Sequence, residues 1–316
     1  MNKQVKITVV GSNMIDLTTF LRKFPLKGET IFGKKFQQGF GGKGSNQAVM
    51  ASLLGAEVSM VTAVGDDSYG QEWLDHYKEE GIKTDFVEVV EGSHSGIAAI
   101  WVEPDGDNRI VISSGANDNL SVKHINKAFD QLSPQDIILS QLENPQETIL
   151  EGFKKGKEMG ATTILNPAPA EPLLDEILKH TDWLLPNETE LVFLAKEMYG
   201  LTIEDSIEML KEFATLSNTN MVVTIGPEGA LLYMPSENMS VIHIKTIPVK
   251  VKDTTGAGDA FCGSFAYGLA SGLAPEKAIK LANVLASDSV QRNGTQMAYA
   301  RDEHLQTLIN QTFSNK

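Results

Sequence analysis

The sequence predicts an α/β fold: a mostly parallel, open sheet with helices on both faces, plus a small antiparallel β lid. Three observations predict it. Short β-branched apolar runs alternate with longer stretches of helical periodicity, the pattern of parallel strands joined by crossover helices. Two segments break that alternation with strand patterning around turns and no helix. No repeat, low-complexity tract or linker divides residues 1–316, so the chain reads as a single domain.

The elements follow in order. "KITVV" (6–10) reads as a first buried strand, and the apolar run it belongs to is too short for a secretory signal. "FPLKGETIFGKKFQQGF" (24–40) lies in the first lid insertion, about residues 16–40. The glycine-rich turn "GFGGKGSNQA" (39–48) opens the helix "NQAVMASLLGA" (46–56). The strand "VSMVTAVG" (58–65) and the helix "GQEWLDHYKEEG" (70–81) come next. "SGIAAIWVEPDGDNRIVISSGAN" (95–117) turns at PDGD and holds the second lid insertion, about residues 94–113. Strands "DIILSQL" (136–142), "ATTILNP" (161–167), "WLLPN" (183–187) and "NMVVTIG" (220–226) interleave with helices "PQETILEGFKKGKEMG" (145–160) and "ETELVFLAKEMYG" (188–200). Three helices close on a glycine, Gly81, Gly160 and Gly200, suited to a left-handed cap. "ALLYMPSENMSVIHIKTIPV" (230–249) reads as a hairpin edging the main sheet. In "VKDTTGAGDAFCGSFAYGLA" (251–270) a second glycine-rich turn becomes a helix, with Phe261, Phe265 and Leu269 four apart.

With 41% hydrophobic and 22% charged residues the chain is an ordinary globular sequence. Twenty-seven Lys and Arg against 41 Asp and Glu leave no basic face for nucleic acid. The net charge of -14 does not exclude a small anion, because charges beyond about 10 Å are screened and the local site decides. No stretch approaches a membrane span. The single cysteine, Cys262, cannot form an internal disulfide, which fits a reducing cytoplasm; its apolar setting suits a buried small hydrophobe.

In an open parallel sheet, ligands sit at the carboxyl ends of the strands. Residues 11–16, Glu143, Asn166, Asn187 and residues 224–229 all follow predicted strands. One polar residue at a strand end is an ordinary capped turn; five on one edge predict a shared cleft. At the first glycine turn, Gly41, Gly42 and Gly44 allow a close backbone approach, with Lys43 and Asn46 as donors; the plain alternative is a flexible loop with a solvated lysine. Asp259, after Gly256, Ala257 and Gly258, is either a helix cap or a general base beside an anion-binding helix start. Neither turn is a Walker A loop, and "GAGDAF" lacks the third glycine of a dinucleotide fingerprint. In "NETE", Asn187 and Glu190 form either a capping arrangement or a site for hydrated magnesium. The six histidines show no metal-ligand spacing.

With both glycine motifs placed, the chain resembles the ribokinases of the PfkB-type sugar kinase family, from about residue 5 to about residue 300. "GGKGSNQA" matches the family's N-terminal signature and "DTTGAGD" its C-terminal one. "GSNMID", "QLEN", "NPAPA", "PNETE" and "TIGPEG" match ribokinases more narrowly. The resemblance implies a ribokinase-like fold and ATP-dependent phosphorylation of D-ribose at O5. Asp259 would be the base, with Gly256, Ala257 and Gly258 as the anion hole. Met14, Ile15, Asp16, Gly42, Lys43, Gly44, Ser45, Asn46, Glu143 and Asp259 would hold the sugar. Asn187, Thr224, Ile225, Gly226, Pro227, Glu228, Gly229, Gly258, Asp259 and Asn283 would line the ATP site. Asn187 and Glu190 would lie near Mg2+. Asp253, Thr255, Ser289, Arg292, Gly294 and Ala298 would surround an activating monovalent cation, K+. Two positions depart from the pattern: Met14 stands where many bacterial ribokinases carry Asn, and Ala298 where the cation loop often has Ser.

Other readings stay open at this point: a same-fold kinase for deoxyribose, another pentose or a nucleoside, and a non-catalytic sugar-binding regulator. An intact Asp259 beside an intact glycine turn disfavours the regulator. The lid segments carry Ile31, Phe32, Phe36, Phe40, Ile100, Trp101, Ile110 and Ile112, more than one sugar could cover, so a homodimer through paired lids is expected. A lid folded onto its own domain is the alternative.

Overall fold

The computed structural model describes residues 4–237 and 240–314. Residues 1–3 of the opening stretch, residues 238–239 in the turn of the expected edge hairpin, and residues 315–316 lie outside the described residues. The chain begins β1 (Lys6–Val10), β2 (Met14–Phe20), β3 (Lys35–Gly41), α1 (Lys43–Leu53), β4 (Glu57–Gly65), α2 (Ser68–Glu79), β5 (Val87–Val90), β6 (Ile97–Val102) and β7 (Asn108–Ser113). It continues α3 (Val122–Phe129), β8 (Ile137–Ser140), α4 (Gln146–Glu158), β9 (Thr162–Leu165), α5 (Asp175–Lys179), β10 (Trp183–Leu184), α6 (Glu188–Tyr199) and α7 (Ser206–Ser217). It ends β11 (Asn220–Thr224), β12 (Ala230–Tyr233), β13 (Ile242–Ile244), α8 (Ala257–Ala270), α9 (Pro275–Ser289) and α10 (Asp302–Ser314).

The main sheet runs β13-β12-β11-β10-β9-β8-β1-β4-β5. It is parallel from β11 to β5, and β12 and β13 add an antiparallel edge, as the hairpin pattern predicts. Two apolar cores cover its faces. Val9, Met60, Trp73, Phe261, Phe265 and Leu281 pack on one side; Val10, Ile138, Phe153, Leu194 and Phe213 pack on the other. Gly81, Gly160 and Gly200 take φ of 71°, 79° and 67°, the left-handed ends expected of their helices.

The lid is a second sheet, β3-β2-β6-β7. Each insertion is an antiparallel pair, as expected, but the two pairs join through parallel β2 and β6. Two separated insertions can meet in either sense, because no tight turn joins them. The first helix starts at Lys43, three residues earlier than its apolar periodicity suggests. Its first turn is glycine and polar, so that turn carries no apolar signal.

Candidate active site

The cleft lies where α1 and α8 begin. Both helices start at a glycine with positive φ, Gly42 at 84° and Gly256 at 75°, and neither has a side-chain cap. The helices α2, α6 and α7, by contrast, are capped by Asp67, Asn187 and Asp205. A left-handed residue at these two starts is cheap only for glycine, and the missing caps leave first-turn N–H groups for other partners. At α1, the Lys43 N–H donates to Glu143 Oε2 at 2.9 Å, and Ser12 Oγ donates to the same oxygen at 2.5 Å. Glu143 therefore sits at the positive end of α1 and keeps its second oxygen. At α8, Ala257 N–H is spent on the Thr254 carbonyl at 3.2 Å. Those of Gly256, Gly258 and Asp259 have no hydrogen-bond partner among the described residues. A side chain at Gly258 would meet nothing within 4 Å. That face opens into a cavity of about 220 Å³ lined by Lys43, Asn187, Glu190, Thr224 and Asp259.

Asp259 caps nothing. It is buried, and both its oxygens are held by amides from α1. Asn46 Nδ2 donates to Oδ2 at 2.9 Å, and Gln47 Nε2 donates to Oδ1 at 3.0 Å. Each amide is held in turn: Gln141 Nε2 donates to Gln47 Oε1 at 2.7 Å, and Gln296 Nε2 donates to Asn46 Oδ1 at 2.9 Å. The carboxylate is thus fixed beside the open N–H groups of its own helix.

Asp16 is the opposite case. It receives no hydrogen bond from the described residues, and burial, then the charges of Glu143 and Asp259, push its carboxyl up to about 7. Burial pulls the Lys43 ammonium down, but Asp259, Glu143 and Glu190 outweigh it and leave the ammonium above its ordinary range. Lys43 makes no ion pair among the described residues, so its charge faces the cavity uncommitted. Burial raises Glu190, while the Asn187 N–H and Lys43 oppose that shift. Asn187 and Glu190 form a complete capping box; Asn187 Oδ1 accepts from both Glu190 N and Thr189 Oγ1, which fills it, while Glu190 keeps one free oxygen. Burial pushes the Cys262 thiol well up, as expected of a small hydrophobe rather than a nucleophile.

The structure sorts the remaining candidates. Met14 is buried and lines a second cavity of about 480 Å³ with Glu143, Leu142 and Asn144. Ile15, expected at the sugar, instead turns its side chain into the core, because β2 alternates and Asp16 takes the cleft side. Gly44 packs against Gly11 and Ser12, where a side chain would come within 2.5 Å of backbone, and Ser45 Oγ accepts from Gln296. Residues 224–229 form a tight turn closed by the bond from Ile225 N to the Gly229 carbonyl, with Thr224 at the cavity. Asn283 is tied to the Ile244 carbonyl at 2.9 Å. In the expected cation loop, Asp253 accepts from Thr255 and Gly294, while Arg292 donates to the carbonyls of Ser289 and Ala298. Sequence reasoning gave Ser12 only as one of residues 11–16, Gln47 and Gln141 only as parts of motifs, and Gln296 and His76 no site role. Among the described residues no helix is long and apolar enough to cross a membrane.

Comparison with known proteins agrees with this geometry. Residues 4–301 match the model of the pfkB family carbohydrate kinases. A ribokinase of Bacillus subtilis is 40% identical over 96% of this chain and 99% of its own. A deoxyribokinase of Salmonella typhi is 37% identical over 96% and 98%. The structure of Arabidopsis thaliana ribokinase complexed with ribose and ATP superposes with a TM-score of 0.86 at 29% identity, over 97% of this chain and 99% of that one. A buried carboxylate held beside an open helix N-terminus, on a lidded parallel sheet, agrees with a match spanning nearly the full length: the chain belongs to the pfkB family of carbohydrate kinases.

Proposed function

We propose that the protein phosphorylates D-ribose at O5 with ATP, giving D-ribose 5-phosphate. One observation carries this reading: the buried carboxylate of Asp259 stands near Asp16, Lys43 and Glu143 at a helix start whose N–H groups are open. Asp16, the free oxygen of Glu143 and the second N–H of Asn46 suit sugar hydroxyls. Lys43 and the free N–H groups of Gly256, Gly258 and Asp259 suit the moving phosphoryl group. Asp259 takes the proton from the attacking hydroxyl, and the α8 N-terminus stabilises charge on the phosphoryl oxygens as the bond to ADP breaks. The relatives named for ribose and the ribose–ATP complex of the Arabidopsis protein support this assignment.

Asn187 and Thr224 begin the nucleotide side, and residues 225–229 and Asn283 continue it. Glu190, whose second oxygen is free, would hold a hydrated Mg2+, which would supply charge neutralisation for the phosphates. Asp253, Thr255, Ser289, Arg292 and Gly294 would hold K+, mostly through backbone oxygens. Ala298 gives it no side-chain oxygen, and its carbonyl already receives Arg292. The protein works in the cytoplasm, as a homodimer closed lid to lid.

Met14 favours a second substrate. A thioether beside Glu143 cannot replace an asparagine amide as a donor to a sugar hydroxyl, so 2-deoxy-D-ribose loses little there. The similarity to a deoxyribokinase is consistent with this. A coupled ATP-consumption assay tests both readings across ribose, 2-deoxyribose, fructose 6-phosphate and adenosine, in potassium and in sodium. Ribose turnover is expected, with 2-deoxyribose close behind and potassium faster than sodium. Preference for fructose 6-phosphate or adenosine would remove the assignment.

A further inference from the structure

We propose that Gln296 and His76 are positioning residues for phosphoryl transfer, acting on Asp259 through Asn46. The inference rests on Asp259 as base and Asn46 as sugar contact. Gln296, in the turn after α9, is buried and spends both amide hydrogens: one on Ser45 Oγ and one on Asn46 Oδ1, each at 2.9 Å. Its Oε1 therefore faces His76 Nε2, on α2, at 2.7 Å, and that ring nitrogen carries the proton. The His76 ring is locked by stacking on Phe40, 3.8 Å between centroids and 5° between planes. Phe40 is the next-to-last residue of lid strand β3, and its carbonyl accepts from Thr295 Oγ1 at 2.9 Å.

The order of donors matters. With Gln296 donating to Asn46 Oδ1, the Asn46 amide has one orientation. Its Nδ2 donates to Asp259 Oδ2 and keeps a second N–H that no described residue accepts. Without Gln296 the buried Asn46 oxygen is left with no donor, and only the carboxylate that its Nδ2 donates to holds the amide in place. The donor to the base would then be less firmly placed. His76 sets Gln296 by the same logic, since a glutamine turned around could not donate to Asn46.

The test is a double-mutant cycle on the full-length enzyme, read as kcat/KM for D-ribose with ATP. Gln296→Leu should lose about 10-fold, the worth of one well-placed hydrogen bond, while keeping a cooperative thermal transition and ADP binding. In an Asn46→Ala background the same substitution should cost nothing further, because the path runs through Asn46. An unchanged rate, or the same loss in both backgrounds, would overturn the relay. If Gln296→Leu does not fold, His76→Phe carries the test: it keeps a ring against Phe40, removes the donor, and should lose about 3-fold, again only when Asn46 is present. Asp259→Asn is the control. A silent Asp259→Asn removes the underlying assignment together with the relay, whereas an inactive Asp259→Asn beside a silent Gln296→Leu removes the relay alone.

Discussion

If Asp16 holds the sugar as proposed, sugar binding depends on pH. Its carboxyl titrates at about 7 in the folded protein, against 3.8 ordinarily, because it is buried near Glu143 and Asp259. Sugar hydroxyls donate to the ionised form, so KM for ribose should rise as pH falls through about 7. Stability has the opposite sign. The folded state holds a proton that the unfolded chain releases, so Asp16's contribution is present below 3.8 and is lost as pH rises through about 7. Asp16→Asn should therefore flatten the fall in Tm of the sugar-free protein between pH 5 and 8, and also flatten the KM profile. Initial rates and thermal scans across that range check both; an Asp16→Asn variant with the wild-type profiles would refute the assignment.

Under the proposed function the two helix starts led by a positive-φ glycine would act as a pair: α1 would carry the sugar-side donors and aim Asp259, and α8 would offer the phosphate side. A methyl group at Gly258 meets no protein atom, so Gly258→Ala should keep or raise stability by up to about 1 kcal/mol, the helix preference of alanine. The same methyl group enters the cavity, so kcat/KM for ATP should fall at least about 10-fold. Thermal unfolding beside steady-state kinetics measures both. A variant both stable and fully active would show that no ligand approaches there. Both helix starts were legible in the sequence, since a glycine run before an apolar periodicity of four marks such a junction. The strand ends were legible because buried parallel strands form continuous apolar runs. The supports of Asp259 were not. Asn46 and Gln47 lie 213 and 212 positions from it, and Gln296 lies 250 from Asn46. Amide pairs closed only by tertiary folding have no spacing to read. The parallel join of β2 and β6 was hidden for the same reason.

The lid leaves apolar side chains exposed on both of its faces: by register Phe36 lies on one face, and Ile110 lies on the other, over the cavity it shares with Asp16. Phe32 is 97% exposed, Phe36 59% and Ile110 51%, whereas Phe40 turns inward onto Trp73 and His76. A four-stranded sheet with large exposed apolar side chains is marginal alone, and a C2 partner would cover them. Sedimentation at micromolar protein should give a dimer, and charged substitutions at Phe36 or Ile110 should dissociate it; a fully active wild-type monomer would contradict that. Lid, parallel sheet and two helix starts together make one device, which carries a phosphoryl group from ATP to the primary hydroxyl of an unphosphorylated pentose. Phosphorus and proton NMR of the product from ATP, Mg2+ and D-ribose tests this. One ADP per sugar, with the phosphorus coupled to the two C5 protons, is the expected result. Phosphate on another oxygen, or ATP hydrolysed with the sugar unchanged, would contradict it.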